Sequence, residues 1–300
     1  MLNTSEPTKR KFYVLLTELR PFHWSKNLLL FLPLLMAHKI MEIDLLLNVL
    51  WGVICFSLIA SAGYVINDLF DWENDKNHPI KRKRPLSLEI ITKGEGKTLI
   101  IILTVFTVLG CYFIGNKAFS QLIIIYFSLS VLYTIIFKKI DILDIIILSV
   151  FYTIRIISGG ILVGVEISSW LLIFSTFFFI SLACLKRYID FKISKKQTTS
   201  GGYSESDSLM IQLIGINSGL ISILVLAFYI QSDHIRVLYR HPEILWSLVP
   251  VFVYWISNIW LNASRGVFTN DPVISFLKDG RNYIVLLIIV VIFTLAKFWI

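Results

Sequence analysis

The sequence predicts an all-α integral membrane protein built as a bundle of nine transmembrane helices. Of the 300 residues, 56% are hydrophobic and only 16% are charged, whereas soluble domains carry about 25% charged residues. The mean hydropathy of +0.75 agrees with this composition, and the chain contains repeated apolar windows long enough to cross about 30 Å of hydrocarbon. These observations exclude a soluble globular domain.

The apolar windows set the predicted order of the helices. The first is the weakest, because it begins with polar residues and contains Pro33, which would kink a helix. The preceding segment, 1–19, is polar and is predicted to be a cytoplasmic N-terminal segment, and 20–300 is predicted to form a single transmembrane domain. The predicted spans are 23–41, 44–66, 98–115, 118–137, 142–165, 168–189, 209–230, 244–262 and 282–300.

The lysines and arginines indicate which side of the membrane each loop faces. Most of the 28 basic residues fall in the N-terminal segment and in the loops after the even-numbered spans. Because cytoplasmic loops are enriched in basic residues, we expect a multi-pass protein of the plasma membrane with its N-terminus in the cytoplasm and its C-terminus outside. The formal net charge of +8 is then explained by topology and by anionic lipids, so no nucleic-acid partner is predicted.

The stretch 67–85, NDLFDWENDKNHPIKRKRP, concentrates polar chemistry between two spans. Asp68, Asp71 and Asp75 have the spacing that places side chains on one face of a helix, and Asn67 adds a further oxygen ligand. Three neighbouring carboxylates are explained better by a bound cation than by topology, since acidic residues contribute little to orientation. Carboxylates beside a basic run are typical of sites for Mg²⁺ and a polyphosphate.

The basic run in this stretch has two interpretations that the sequence leaves open. Lys81, Arg82, Lys83 and Arg84 satisfy the positive-inside rule, and their charges are also suited to binding phosphate. Both roles place the run at the cytoplasmic face.

A second polar centre closes the predicted sixth span. Lys186, Arg187 and Asp190 lie within one helical turn and a half. Lys186 and Asp190 have the i, i+4 spacing of a helix-surface ion pair, whereas charges at a membrane-buried helix end are often functional. Neither interpretation is excluded by the pattern alone.

Other charged residues at the same membrane face are weaker candidates. Arg155 lies inside the predicted fifth span, where an arginine is costly unless it is paired or hydrated, and the small residues 158–160 beside it would allow close helix packing. Lys139, with Asp141 and Asp144, opens that span. Arg20 and Lys26 open the first span.

Three segments together resemble a known family. The stretch 67–85 resembles the NDxxDxxxD signature of the UbiA superfamily of intramembrane prenyltransferases, and the spans resemble its nine-helix bundle, from about Arg20 to the end of the sequence. RPFHWSKN at 20–27, HPIKRKRP at 78–85 and LKRYID at 185–190 resemble the branch typified by decaprenyl-phosphate phosphoribosyltransferase. The resemblance implies an active-site mouth on the cytoplasmic face.

One departure from the family pattern bears on the donor substrate. Typical members carry a second motif, DxxxD, which with the first binds a prenyl diphosphate through Mg²⁺. In this sequence Lys186 stands at the first aspartate of that motif, and Asp190 at the second. The exchange removes a metal ligand and adds a charge that can bind phosphate, which favours a phosphoribosyl donor.

The function implied by the resemblance is Mg²⁺-dependent transfer of a 5-phosphoribosyl group from phosphoribosyl pyrophosphate (PRPP) to a polyprenyl phosphate, with release of pyrophosphate, for cell-envelope precursor synthesis. The partners are these two substrates and the lipid bilayer, and a homo-oligomer is compatible with the sequence. The alternative is transfer of a prenyl group from its diphosphate to an aromatic or other small acceptor. A transporter or channel is the third interpretation, although the charges gather at one membrane face rather than at the midplane.

The residues that carry this function are predicted as follows. The catalytic residues are Asp68, Asp71 and Asp190, and the magnesium ligands are Asp68, Asp71 and Asp75. The substrate-binding residues are Lys26, Asn67, Lys81, Arg82, Arg84, Lys139, Arg155, Lys186 and Arg187.

Overall fold

The computed structural model describes residues 14–77, 81–194, 203, 205–267 and 280–298, so most of the predicted segment 1–19 and residues 78–80 of the basic stretch lie outside the described residues. Within these ranges the protein is helical and contains no strand. Its long helices are α1 (Ile43–Phe70), α2 (Lys93–Ile114), α3 (Lys117–Ile135), α4 (Leu143–Val163), α5 (Ser169–Ser194), α6 (Ser208–Gln231), α7 (Leu248–Ser264) and α8 (Gly280–Phe298).

Shorter helical segments connect the long helices. Those with α-helical geometry are Leu32–Met36, Trp72–Lys76 and Asp233–Leu238, and those with 3-10 geometry are Pro21–Phe31, Lys81–Lys83, Phe137–Lys139, Glu205–Asp207 and Pro242–Ser247.

The structure confirms an all-helical membrane fold, with 8 helices in the described ranges that are long and apolar enough to cross a membrane. The predicted first span, 23–41, is not one of them. It forms the 3-10 helix Pro21–Phe31 followed by the short α-helix Leu32–Met36, so the count of nine helices is not confirmed. The physical reason lies in its prolines, since Pro21 starts the 3-10 segment and Pro33 can be tolerated only in the first turn of a new helix.

Helix α1 carries the start of the acidic motif in its last turns. Its 28 residues correspond to about 42 Å at 1.5 Å per residue, which exceeds the roughly 30 Å of hydrocarbon in a bilayer. The helix is therefore longer than the apolar layer is thick, and Asn67 and Asp68 lie in its final turns. The backbone continues with little interruption into Trp72–Lys76, because the Asp71 amide donates to the Asn67 carbonyl at 2.9 Å and the Asp75 amide donates to the Asp71 carbonyl at 2.8 Å.

Helix α2 begins and ends at clear sequence signals. Thr92 and Glu95 form a reciprocal capping box at its start, which satisfies two backbone amides that have no partner inside the helix. Gly115 follows its last residue with φ of 69°, a left-handed conformation that glycine adopts without steric cost. Asn116 then caps α3 by accepting from the amide of Phe119.

The chain packs as two compact units, Met1–Lys138 with Ile154–Glu166 and Lys139–Thr153 with Ile167–Ile300. In the first unit the fully buried side chains include Leu30, Phe56 and Phe119. The largest buried cluster of the second unit surrounds Tyr188 and Trp260. The single domain over 20–300 stays a prediction.

A close backbone approach joins α4 to the 3-10 helix in the first unit. A Cβ atom built on Gly159 would lie 2.2 Å from the carbonyl oxygen of Leu30, closer than any real contact. Residue 159 must therefore be glycine for Pro21–Phe31 to lie against α4. This confirms the close packing that the small residues at 158–160 predict.

We expect Gly159→Ala to destabilise the protein by about 1–3 kcal/mol, the usual cost of overpacking, because the Leu30 backbone would have to move. The measurement is thermal unfolding of the purified protein in detergent. Gly94→Ala is the matched control, since its Cβ would meet only the Thr92 side-chain oxygen, at 3.9 Å. Equal unfolding temperatures for the two variants would contradict the close approach.

Candidate active site

Asp68 is the centre of the polar cluster in the first unit. It lies in the last turns of α1 and is 1% exposed. Arg84 Nη1 donates to its Oδ1 at 2.8 Å, and Arg20 forms an ion pair with its Oδ2. A buried carboxylate would be strongly unfavourable without partners, and these two guanidinium groups are the partners of Asp68 within the protein.

Arg84 also binds the third aspartate of the motif. Its Nη1 donates to Asp75 Oδ2 at 2.5 Å, and Lys81 Nζ lies 4.0 Å from Asp75 Oδ1. Burial raises the pKa of Asp75, and the charges of Arg84 and Lys81 oppose that increase. The predicted basic run therefore contributes two cations to the acidic motif, whereas Arg82 is exposed.

Asp71 binds a different cation. Lys138 Nζ donates to Asp71 Oδ1 at 2.5 Å and to Asn67 Oδ1 at 3.2 Å. Lys138 follows α3 in the short 3-10 segment Phe137–Lys139. Lys139, the neighbour that the sequence predicts to bind substrate, is exposed.

The N-terminal side of the site adds a fourth carboxyl group. Glu18 is 1% exposed, and its Oε1 has no hydrogen-bond partner. Burial, and then the neighbouring charge of Asp68, raise the pKa of Glu18 to about 8.

The donors in this cluster fit a hard divalent cation by their chemistry. Glu18, Asp68, Asp71 and Asp75 offer carboxylate oxygens, which Mg²⁺ prefers, and the unpartnered Oε1 is an oxygen that a cation would satisfy. In the described part of the chain, no three His, Cys, Asp or Glu side chains are already arranged as a metal site. The aspartates are instead neutralised by Arg20, Arg84, Lys81 and Lys138.

Trp72 fixes the loop that carries the cations. Lys76 Nζ and Lys93 Nζ each lie 3.7 Å from the centroid of its ring, and its indole donates to the Leu86 carbonyl at 3.1 Å. Such cation–π contacts contribute about 0.5–1 kcal/mol each at exposed sites. They hold the chain on both sides of Arg84.

Arg155 lies in a buried network with neutral partners. It is 3% exposed, and its Nε donates to Asn27 Oδ1 at 2.7 Å while Nη2 donates to Tyr126 Oη at 2.8 Å. Asn27 in turn donates to Ser57. The arginine is therefore enclosed by protein groups, as an intramembrane charge must be. Lys26, beside Asn27, is half-buried.

The second unit contains its own polar cluster, around Asp144 at the start of α4. Asp144 is completely buried. Arg187 Nε donates to its Oδ2 at 2.6 Å, and the Tyr203 hydroxyl donates to its Oδ1 at 2.6 Å. The same hydroxyl accepts from the Ile142 amide at 2.5 Å. Arg187 is thus held by an internal ion pair.

The predicted helix-surface pair is formed by a different residue. Arg187 Nη1 lies 3.8 Å from Asp190 Oδ2, at i, i+3, and Lys186 is half-buried beside it. The Asp190 side chain is 42% exposed. Lys186 is therefore not needed to neutralise Asp190.

A groove in the second unit lies apart from these residues. It has a volume of about 340 Å³ and contains none of the predicted site residues. Its lining is mostly apolar, as expected for a helix surface in lipid, and includes Pro250, Tyr254, Arg281 and Ile288.

Residues 28–271 match the UbiA prenyltransferase family. The chain belongs to this family. It is accordingly a multi-pass membrane protein and a transferase.

Curated UbiA relatives match at modest identity. The uncharacterized protein y4nM of Sinorhizobium fredii is 31% identical over 94% of this chain, and the nodulation protein NoeC of Azorhizobium caulinodans is 29% identical over 96% of it. The decaprenyl-phosphate phosphoribosyltransferase of Mycobacterium tuberculosis is 28% identical over 59% of this chain. The aligned regions span 55%, 94% and 60% of these relatives.

Solved structures support the fold. A structure of digeranylgeranylglyceryl phosphate synthase matches with a TM-score of 0.68 at 19% identity, covering 96% of this chain and 98% of that chain. A UbiA homolog from Archaeoglobus fulgidus bound to GPP and Mg²⁺ matches with a TM-score of 0.68 at 16% identity, covering 92% and 94%.

Several site residues of this UbiA protein have little or no local sequence signal. Glu18 precedes the RPFHWSKN motif and belongs to no pattern, and Tyr203 lies in a loop. Lys138 is visible only as one of many basic residues that indicate topology. The hydrogen bonds of Lys138 and Tyr203 join residues that are 59 to 71 positions apart, which a local pattern does not contain.

We expect Tyr203→Phe to lower the stability of the protein by about 1–3 kcal/mol, because it leaves an oxygen of buried Asp144 and the Ile142 amide without their partner. Burial raises the pKa of Tyr203, so its hydroxyl remains a donor throughout the neutral pH range. Thermal unfolding in detergent measures the change. Tyr254→Phe is the control, because Tyr254 is 55% exposed, and it should unfold at the same temperature as the wild type. An unchanged unfolding temperature in Tyr203→Phe would contradict the assigned hydrogen bonds.

Proposed function

We propose that the protein is a Mg²⁺-dependent polyprenyl-phosphate phosphoribosyltransferase, which uses PRPP as donor and releases pyrophosphate. The observation that carries this proposal is the buried cluster in which Asp68, Asp71 and Asp75 meet Arg20, Arg84 and Lys138. Paired carboxylates and cations at the end of a membrane helix provide ligands for a metal together with donors for phosphate. The Mycobacterium tuberculosis relative is a decaprenyl-phosphate phosphoribosyltransferase by name, and this supports PRPP and a polyprenyl phosphate as the substrates.

The acidic motif supplies the metal chemistry of the proposal. Asp68, Asp71 and Asp75 are the residues that would hold Mg²⁺, and Glu18 lies beside them. When bound, the ion neutralises charge that develops on the departing pyrophosphate. The fold neighbour bound to GPP and Mg²⁺ supports use of this metal in the family.

The cations bind the phosphates of the two substrates. Arg20, Arg84, Lys81 and Lys138 are neutralised by aspartates, and each can exchange that partner for a phosphate oxygen of similar charge. Lys186 and Arg187 are the corresponding phosphate-binding cations of the second unit, and Asp190 is the catalytic carboxylate beside them. The acceptor is already an anion, so it needs no general base to become a nucleophile.

The site is proposed to open to the cytoplasm of a plasma-membrane protein. The basic residues concentrate in the N-terminal segment and in the same set of alternate loops as the acidic motif, and such loops are cytoplasmic. PRPP is a soluble and highly charged donor, so a site on this face can receive it from the cytoplasm while the lipid acceptor stays in the bilayer.

The alternative is a prenyltransferase that moves a prenyl group from its diphosphate to a small acceptor. It is favoured by the fold neighbour bound to GPP. The lysine at residue 186 counts against it, because it removes one carboxylate from the second motif of the family.

We expect the purified protein to release pyrophosphate from PRPP only when polyprenyl phosphate and Mg²⁺ are both present. Addition of EDTA should stop this release. Asp71→Asn should lose activity by about 10²-fold or more, as expected when an electrostatic contribution to the transition state is removed. The measurement is release of labelled pyrophosphate and formation of a labelled lipid.

The control for this prediction is Asp44→Asn, which makes the same substitution in the exposed first turn of the same helix and should keep full activity. Labelled GPP and longer prenyl diphosphates are tested with aromatic acceptors in parallel. Turnover of these donors with none from PRPP, over a range of polyprenyl lengths, would replace the proposal by the alternative.

We expect Lys186→Gln to raise the KM for PRPP by about tenfold, because a hydrogen bond to a charged group contributes about 1.5–3 kcal/mol. The KM for polyprenyl phosphate should change less. Lys192→Gln, on the same helix but exposed, is the matched control. An unchanged KM for PRPP in Lys186→Gln would show that this lysine does not bind the donor.

A further inference from the structure

Arg20 has a backbone conformation that is unusual for its residue type. Its φ of 52° and ψ of 60° lie in the left-handed region, which residues with a Cβ atom rarely adopt, because that atom then crowds the following carbonyl oxygen. Pro21 follows directly, and a proline disfavours the right-handed helical region for the residue before it. Such strain persists only where the surrounding structure holds it, and it is found mostly at functional sites.

The contacts that hold this turn come from one face of α1. Ser61, Tyr64 and Asp68 have i, i+3 and i+7 spacing, so their side chains lie one above another along the helix. Arg20 forms its ion pair with Asp68, and its guanidinium carbon lies 5.2 Å from the centroid of the Tyr64 ring. The Arg20 side chain remains 20% exposed, so it is not enclosed by protein.

Ser61 contacts both ends of the turn formed by residues 19–24. It is 0% exposed, and its Oγ lies 2.8 Å from the carbonyl oxygen of Leu19, in the peptide bond that joins Leu19 to Arg20. The indole N–H of Trp24 donates to the same Oγ at 3.1 Å. The Ser57 carbonyl oxygen is also 2.8 Å from Oγ, but it already accepts from the backbone amide of Ser61 within the helix and gains less from a second hydrogen bond.

We propose that Ser61, together with Trp24, is a positioning residue that holds Arg20 in the left-handed conformation from which its guanidinium binds the diphosphate of the donor substrate. This rests on the proposed function, which places that diphosphate at the acidic motif beside Asp68. Release of the Leu19 carbonyl would let Arg20 return to the extended conformation that a residue before proline prefers, and the direction of its side chain would change.

A comparison of two substitutions at residue 20 tests the held conformation without any assay of activity. Arg20→Gly and Arg20→Ala both remove the ion pair with Asp68, so the difference between them reports the backbone. Alanine is usually the more favourable of the two, whereas glycine is favoured in the left-handed region. We expect full-length Arg20→Gly in detergent to unfold about 2–4 °C above Arg20→Ala.

An equal or lower unfolding temperature for Arg20→Gly would overturn the proposal. If neither variant folds, the same pair is compared with Asp68→Asn added, because that substitution removes the buried charge that Arg20 neutralises. The same order of unfolding temperatures is then expected.

A double-mutant cycle tests whether Ser61 acts through Arg20. The variants are Ser61→Ala, Arg20→Gln and the two combined, and the quantity measured is the KM for PRPP in the release of labelled pyrophosphate. We expect Ser61→Ala to raise this KM about two- to tenfold, the factor that corresponds to one neutral hydrogen bond, and to leave it almost unchanged in the Arg20→Gln background. A serine that only stabilises the fold would lower the unfolding temperature in both backgrounds and leave the KM unchanged.

Ser222→Ala is the matched control for this cycle. Ser222 is also 0% exposed, and its hydroxyl donates to the Gly219 carbonyl of its own helix, so its substitution removes a buried hydroxyl far from the turn in sequence. Its KM for PRPP should equal that of the wild type. If Ser61→Ala does not fold, Trp24→Phe, which removes the indole N–H, takes its place. Trp51→Phe is then the control, because Trp51 lies on α1 and is 56% exposed.

Failure of this proposal and failure of the proposed function give different results. An unchanged KM in Ser61→Ala, or the same increase in both backgrounds, would overturn the role of Ser61 and leave the proposed function intact. Absence of turnover from PRPP in the wild type would remove the proposed function. The cycle is then measured with a prenyl diphosphate, which also carries a diphosphate, and the same outcomes decide the role of Ser61. Absence of turnover from either donor would overturn both.

Discussion

The buried ion pairs of Asp68 are the interaction on which the rest of the candidate site depends. A carboxylate that is 1% exposed is tolerated only when its charge is compensated, and here Arg20 and Arg84 provide that compensation. The two arginines come from segments on either side of α1 in the sequence. The ion pairs of this one aspartate therefore connect three parts of the chain: the segment before the first 3-10 helix, the end of α1 and the basic loop.

The same ion pairs bear on the binding of polyphosphate that the proposed function requires. In the structure each aspartate of the motif contacts a cation, so the cluster is close to neutral and its cations are already oriented. Mg²⁺ at the carboxylates and phosphate at the arginines would preserve that balance, since each partner is exchanged for one of the same sign. Pre-oriented groups lower the cost of ordering on binding. Under the proposed function, the side chains that compensate charge within the protein are also the ones that would bind the substrates.

The sequence predicts the positions of the long helices and the residue types of the acidic motif. It does not predict which cation each aspartate of the motif binds. Hydropathy located the eight long helices because composition alone determines which segments can cross a bilayer, and the small residues at 158–160 indicated the contact found at Gly159. The span predicted at 23–41 is not confirmed as a long helix, because Pro21 and Pro33 divide this segment into a 3-10 helix and a short α-helix. The spacing of Asp68, Asp71 and Asp75 predicts one shared face, yet Asp71 pairs with Lys138 while the others share Arg84. Partners so distant in sequence follow from tertiary packing, which local periodicity does not encode.

The difference between the two polar clusters bears on the choice of donor. In the first unit carboxylates and cations are matched, whereas in the second Arg187 is neutralised by buried Asp144 and Lys186 adds a charge where the family has an aspartate. PRPP carries a 5-phosphate in addition to its pyrophosphate, so it is more anionic than a prenyl diphosphate. A donor with more negative charge requires more positive charge from the protein and fewer carboxylates near it. Under the proposed function, a lysine at residue 186 in place of an aspartate gives the cluster of the second unit more positive charge and one carboxylate fewer, which is the direction that PRPP as donor would require.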